Sequence, residues 1–396
     1  LAANIDISAK DILREFFKRV LDNGHCEIYV SHDIDSIVAA STVIRMLSAH
    51  NIEAGIYPAI LLHQASPSEY SLAIGSRPPR IGSGVAVIRR REGLTRIGEW
   101  IVAQTQSSIS HEILETISNL YQLPRELRSA VVAGHMSAFT KSVLSQVEDK
   151  FVAGLGEMFG SDAIIIKEGL KIMGYGVEEN LAYVLETTLD PYIPNVSGNP
   201  QRSLDIVSQI TSQDGKETLK KISKVLNDMV GISLVSVGLK PIYREDYPFI
   251  DPYEMYICLL GHLYIGSSEA STFISTGLPG ISAISYRCIY IKKEILTYLS
   301  EVFDKSKRVS TYSVKGRMFT AYPDISLNIV WPVHKILTSL SHYQGYAVYE
   351  VSEGYAFPIE GSYDPQNMRG FKVFPSGLLI VDDIEDMPEA VSVIGV

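Results

Sequence analysis

Over Ala9 to Leu21, apolar residues fall at Ile12, Phe16, Val20 and Leu21 among charges, a spacing that predicts a helix ended by Asn23-Gly24. The period then changes. Cys26 to Val30 is a short apolar run that reads as a buried strand, Asp33 to Ser36 as a turn, and Ile37 to Ala49 as a helix with Ala40, Val43, Ile44 and Leu47 inward. Asn51 to Pro58 reads as the next strand, so the chain opens as strand, helix, strand, a parallel unit with its crossover. A third buried strand is expected at Gly84 to Ile88, followed by helices at Leu94 to Gln104 and His111 to Tyr121. Glu126 to Gly160 is helical in pattern, Asp190 to Gly198 is a Pro-punctuated loop, and Gly215 to Met229 is an amphipathic charged helix near a domain junction. Beyond it, β-rich runs are expected at Ile232 to Leu239, Ile284 to Ile291, Tyr346 to Val351 and Phe371 to Val381, alternating with helices.

A chain of 396 residues with this alternation is expected to be α/β, in two domains with a smaller module between them. Hydrophobic residues at 46% and charged residues at 20% place it among globular chains. No apolar run is long enough to cross a bilayer, and Leu1 to Asp6 lacks the pattern of a signal peptide, so no membrane partner and a cytoplasmic location are expected. Cys26, Cys258 and Cys288 are odd in number and far apart, which predicts buried free thiols in place of a disulfide framework or zinc site.

Net charge changes the picture of possible partners. At −10 the protein cannot coat nucleic acid with a broad basic surface, so any contact must be local. One segment qualifies: Arg77, Arg80, Arg89, Arg90, Arg91 and Arg96 lie close together in an otherwise acidic chain. They read either as a solvated face or as a contact for single-stranded DNA or an acidic partner. The 22 tyrosines are spread over the chain and concentrated in strands, which suits sheet packing better than base stacking.

The candidate chemistry sits at Ile28-Tyr29-Val30-Ser31-His32-Asp33-Ile34-Asp35-Ser36-Ile37, an apolar strand entering an Asp-x-Asp turn and a helix. Two carboxylates at the end of a parallel strand suit a divalent cation, because hard cations take oxygen ligands. The same residues, as helix caps, satisfy amides and the helix dipole. His135 and His262 read as core histidines.

With the loop Leu189-Asp190-Pro191-Tyr192-Ile193-Pro194-Asn195-Val196-Ser197-Gly198, this turn resembles the DHH phosphoesterase superfamily, specifically its archaeal RecJ-like branch and the cell division cycle protein 45 family. The nuclease form of the first motif is approximately His-x-Asp-Ala-Asp-Gly-Ile; Asp33 and Asp35 are kept, but Ser31 stands at the histidine position and His32 is out of step. Where the nucleases end a core strand in an Asp ligand, Val85-Ala86-Val87-Ile88 runs into Arg89-Arg90-Arg91. An arginine about 4 Å from a divalent cation would be repelled by about 8 kcal/mol at an effective dielectric of about 20. No Asp-His-His occurs, and Ala130-Val131-Val132-Ala133-Gly134-His135 keeps a motif glycine without its acidic end. Two-metal hydrolysis needs bridging carboxylates that this set does not supply. Glu254 to Leu263 loosely matches a helix of the family's second domain, and Gly361 to Pro365 does not replace the family's Gly-Gly-His loop.

The resemblance therefore implies a parallel-sheet DHH-like N-terminal domain over 1–165, a helical connecting region over 166–231 and a smaller α/β DHHA1-like domain over 232–396. It implies a catalytically inactive archaeal scaffold without cofactor, bound to the GINS complex and through it to the MCM ring in the CMG replicative helicase. The rival implication is a divergent single-strand exonuclease or nanoRNase using Mn²⁺ or Mg²⁺. A free-standing single-strand binding module is a third reading, which the acidic charge disfavours.

Overall fold

The protein is described by a computed structural model over residues 8–210, 215–359 and 371–394. The expectations for Leu1 to Asp6 and for Gly361 to Pro365 fall outside those residues. Its first half carries β1 (His25–Val30), β2 (Glu53–Pro58), β3 (Ser71–Ile74), β4 (Ser83–Arg89), β5 (Gly93–Ile97) and β6 (Glu99–Thr105). Helices α1 (Ala9–Asn23), α2 (Ile34–Ala49), α3 (Ile109–Ile117), α4 (Arg125–Ser137) and α5 (Asp149–Phe159) accompany them. The six strands form one sheet in the order β2-β1-β3-β4-β6-β5, parallel throughout except for the β5 edge.

β7 (Ile164–Leu170) and β8 (Val237–Tyr243) pair antiparallel and enclose α6 (Leu181–Thr187), α7 (Pro200–Gln209) and α8 (Gly215–Val230) in sequence. This module has its own apolar cluster, which includes Leu170, Val184, Ile193, Ile222 and Leu226. Then come α9 (Pro252–His262), α10 (Ser267–Ser275), α11 (Leu278–Phe303), β9 (Ser310–Val314), β10 (Arg317–Tyr322), α12 (Val330–Ser339), β11 (Tyr346–Val351), β12 (Gly354–Pro358), β13 (Lys372–Val373), β14 (Leu378–Val381) and α13 (Met387–Ile394). The strands of this half form a second sheet, β13-β14-β12-β11-β10-β9, in which only β10 and β11 run parallel. The chain is thus mixed α/β with a parallel sheet first, as the alternation of periods predicts.

A continuous core joins the two sheets. Leu13 and Phe16 of α1, Val38 and Val43 of α2, Val131 of α4, Ile257 of α9, Ile291 of α11 and Val333 of α12 all belong to it. Helix α2 is buried nearly all round because it is enclosed by α3, α4 and α10 as well as the sheet. Polar bonds fix α10 there: Ser267 Oγ donates to Val30 O at 2.9 Å and Ser271 Oγ donates to Ile37 O at 3.1 Å.

Four expectations need correction. Leu94 to Gln104 is a β-hairpin, not a helix. Gly98 holds φ +60° in its turn, where a Cβ would collide with Arg80 O, and β6 alternates Trp100 and Val102 into a cluster with Tyr29 and Ala86. Ile284 to Ile291 lies within α11, where Ile281, Ile284, Cys288, Ile291, Ile295, Tyr298 and Val302 are buried at alternating steps of three and four, the period of a helix seam. β3 is an additional strand that the sequence pattern does not signal, and it lies between β1 and β4 in the sheet. Finally, Cys258 and Cys288 are joined as a disulfide with Cα atoms 5.2 Å apart, while Cys26 is the buried free thiol. The packing of α9 against α11 brings the two sulfurs together, and sequence spacing carries no sign of it. Smaller differences are one of boundary: the helical stretch from Glu126 divides into α4 and α5, and the strand expected at Ile232 begins at Val237.

Candidate functional site

The parallel strands deliver their carboxyl ends to one edge. β1 ends at Val30, and Ser31 N donates to Ile74 O of β3 at 3.0 Å; Gly75 N donates in turn to Val87 O of β4 at 2.9 Å. Gly75 follows β3 with φ +77°, and a Cβ there would collide with Ser36 Oγ, so only glycine lets β3 close against the start of α2. These ends form the floor of a cleft of about 510 Å³. Ser137 at the end of α4, with Ala138, Thr140 and Lys141 after it, forms one wall; Tyr256 and Leu260 of α9, with Trp331 and Lys335 of α12, form the other.

Both aspartates of the turn line this cleft, yet both are engaged in capping. Helix α2 begins at Ile34, three residues before the expected start, which makes Asp33 its N-cap. Asp33 Oδ1 accepts from Ser36 N at 2.9 Å and Oδ2 accepts from Ser36 Oγ at 2.7 Å. Asp35, in the first turn, serves another helix. Its Oδ2 accepts from Ile109 N at 2.7 Å, and Oδ1 accepts from Ser110 N at 2.9 Å and Ser110 Oγ at 2.5 Å, at the N-terminus of α3. Burial pushes the Asp35 carboxyl up to about 7, with a lesser push from Asp33, against the pull of these hydrogen bonds.

His32 also lines the cleft, on the side of Trp331. It packs against Trp331 and Gly377, and its Nε2 lies 2.6 Å from Ile359 O in the second half of the chain. His135, near the end of α4, is buried with Nδ1 2.7 Å from Ser108 Oγ and its ring stacked on Phe151. Burial, with a smaller contribution from His111, pulls its imidazole down to about 3. His262 is likewise buried, with Nδ1 2.9 Å from Cys258 O. No group of three His, Cys, Asp or Glu side chains among the described residues is placed to hold a metal.

The arginines divide. Arg77 after β3 and Arg89 and Arg90 at the end of β4 line the cleft, Arg89 lying over the Phe139 ring at 5.5 Å. Arg80, Arg91 and Arg96 are exposed and do not line it. Lys141 and Lys335 join the cleft from other elements, Lys335 Nζ donating to Lys141 O at 3.0 Å. Neither lysine stands out in the sequence. Each is alone among unremarkable neighbours, and only tertiary folding brings them into the same cleft as Arg77.

The loop from Asp190 is a structural joint. Asp190 is buried and accepts from Leu144 N at 2.7 Å and Ser145 N at 2.8 Å; burial pushes its carboxyl up to about 6. Nearby, Lys240 and Asp251 make a fully buried ion pair at 2.7 Å, and Asp251 also accepts from Glu254 N and caps α9.

No family model matches the sequence, and no curated protein matches it. Solved structures do. CDC45 from Entamoeba histolytica superposes with a TM-score of 0.60 over 97% of this chain and 98% of that one, at 9% identity. The chain has the CDC45 fold. RecJ from Thermus thermophilus in complex with Mn²⁺ matches with a TM-score of 0.45 at 8% identity, over 55% of its own length. An exonuclease RecJ bound to manganese matches at 0.44 and 9% identity, over 94% of its length. The α/β fold class implied by the sequence resemblance is the one found, and it is shared with that CDC45 at 9% identity.

Proposed function

We propose that the protein is a non-catalytic scaffold subunit of an archaeal replicative helicase, binding GINS and through it MCM in the CMG assembly. The observation that carries this reading is the state of the strand ends. The oxygens of Asp33 and Asp35 are held by helix amides and hydroxyls, and the neighbouring strands end in glycine and arginine where further oxygen ligands would have to stand. Activating water with two cations needs carboxylates free to bridge them, and arginine beside the site opposes a cation. The division of the chain at 1–165, 166–231 and 232–396 belongs to the same proposal. The shared CDC45 fold is consistent with a scaffold and does not by itself assign a partner.

The test is affinity purification of the tagged full chain from native extract, with identification of its partners, beside a nuclease assay on single-stranded DNA and RNA in Mn²⁺ and Mg²⁺. GINS and MCM subunits are expected in the eluate, and no nucleotide release. Release that disappears in Asp33→Ala overturns the reading in favour of an exonuclease or nanoRNase, since a contaminating nuclease ignores that exposed substitution. Absence of GINS from the eluate overturns the assembly role.

A further inference from the structure

A second cavity, of about 630 Å³, lies where the middle module meets the second half of the chain. Met229 and Val230 at the end of α8, Ile232 just beyond it, Phe303 at the end of α11, Val309 before β9 and Leu340 after α12 give it an apolar lining. Ile232 keeps 39% of its surface open to solvent. The charges in the lining are all of one sign: Lys305, Lys307 and Arg308 belong to it and no carboxylate does. Asp304 is engaged with Ser306, accepting from its N at 2.8 Å and its Oγ at 2.6 Å. Lys307 shares Glu301 at 3.8 Å, whereas among the described residues Lys305 and Arg308 have no carboxylate partner. His342 also lines the cavity but adds no charge near neutral pH, because burial pulls its imidazole down.

The same segment runs straight into an open sheet edge. Val309 lines the cavity, and Ser310 begins β9, the outermost strand of the second sheet, which pairs only with β10. An outermost strand leaves a row of N–H and C=O groups unpaired, and such edges are commonly blunted by a charge or a proline within the strand. Ser310-Thr311-Tyr312-Ser313-Val314 has neither, and Thr311, Tyr312 and Ser313 are exposed. Cations stand at both of its ends, Lys305, Lys307 and Arg308 before it and Lys315 after it. We propose that an extended acidic peptide segment adds to β9 as a further strand and seats one large apolar side chain in the cavity. In such an arrangement main-chain hydrogen bonds give affinity and the pocket for a side chain gives specificity. Acidic flanks answer the cations at the strand's ends, and in a chain of net charge −10 the rest of the surface repels them, which confines the peptide to this edge. The inference is independent of the scaffold reading, because a chain that never joins a helicase would still present this edge and cavity.

The probe is drawn from a random peptide library displayed on phage and selected on the immobilised full chain; the most enriched sequence is synthesised with a fluorescent label and followed by anisotropy. It is expected to carry a large apolar residue among acidic ones. Lys305→Glu with Arg308→Glu, and Ile232→Asp alone, should each weaken binding at least about tenfold, the scale of one charge-assisted contact or one buried side chain. All three positions are exposed, so the fold is kept, and Arg91→Glu with Arg96→Glu in the first sheet should change nothing. N-methylation of one alternating set of peptide amides should abolish binding and that of the other set should be tolerated, since only every second N–H of a strand faces its neighbour. Amide hydrogen exchange at Ser310–Val314 should slow in the complex. No enrichment over an uncoated surface, a basic consensus, or an affinity that ignores the cavity substitutions overturns the proposal. Equal tolerance of both N-methylated sets, or displacement by decanoate with no slowing of exchange in β9, overturns strand addition and leaves a pocket for a small amphiphile.

Discussion

Replacing Asp35 by Ala removes the carboxylate that ties α2 to the N-terminus of α3, and the loss should be far larger than that of Asp33, its neighbour in the same turn. Asp33 is exposed and caps its own helix, so Asp33→Ala should cost about 1 kcal/mol, the usual value of an N-cap. Asp35 is 4% exposed and accepts from two backbone N–H groups and a hydroxyl. Alanine would leave those donors buried, at about 1–3 kcal/mol for each stranded group, which sums to about 3–5 kcal/mol after partial relaxation. The assay is urea unfolding of both variants and the parent in EDTA at about pH 6, where the carboxyl is mostly protonated and little buried charge is removed with it. If Asp35→Ala is no less stable than Asp33→Ala, or gains stability, the capping account of this turn fails. Two empty metal ligands would give that result, because deleting either would relieve repulsion between carboxylates.

The raised Asp35 carboxyl also predicts a pH dependence. The folded state holds this proton up to about pH 7 whereas the unfolded chain releases it near 3.8, so its stability contribution is whole below the lower value and is lost as pH rises through that window. Measured against Asp35→Asn, the parent should lose about 1.4 kcal/mol per pH unit inside the window and nothing further above it; a flat difference refutes the shift. His135 has the opposite sign. Its folded imidazole stays neutral down to about 3, so its contribution is present above the ordinary 6.5 and lost as pH falls, and NMR at pH 5 should find the ring neutral; a titration near 6.5 would contradict its burial. Lys240→Met should destabilise by about 3–5 kcal/mol by leaving the buried Asp251 without its ion-pair partner, and adding Asp251→Asn should recover much of the loss in urea unfolding; no recovery would mean that the pair is not the source of the cost. Chelator should leave the melting temperature unchanged, since a metal at a hundred times its Kd adds about 2.7 kcal/mol and a fall of several degrees in EDTA would reveal one.

The parts of the fold that the sequence made legible are those marked by a local change of period. The apolar run Cys26 to Val30, the turn at Asp33 and the helix after it give a parallel α/β unit, because a short strand and a helix differ in period and the turn residues mark the change. Leu94 to Gln104 shows the limit. Leu94, Ile97 and Ile101 have helical spacing, yet pairing of β6 with β4 along its whole length outweighs that local preference, with Gly98 shaping the turn. In α11 the helical seam is present in the sequence, but β-branched residues from Ile284 to Ile291 favour a strand on local propensity alone.

For the site, the sequence by itself determined that an Asp-x-Asp turn ends the first strand and that arginines follow the later one. Those are matters of residue identity, which folding does not alter. Only the tertiary structure decided what the carboxylates do, since the amides of Ile109 and Ser110 are far from Asp35 in sequence and meet it only when α3 packs on α2. It likewise divided the arginines, three facing the cleft and three left outside, and set Lys141 and Lys335 opposite the strand ends. Hydrogen bonds and charge pairing act over a few ångströms of space, and the chain separation of their partners carries no trace of that distance until the two halves share one core.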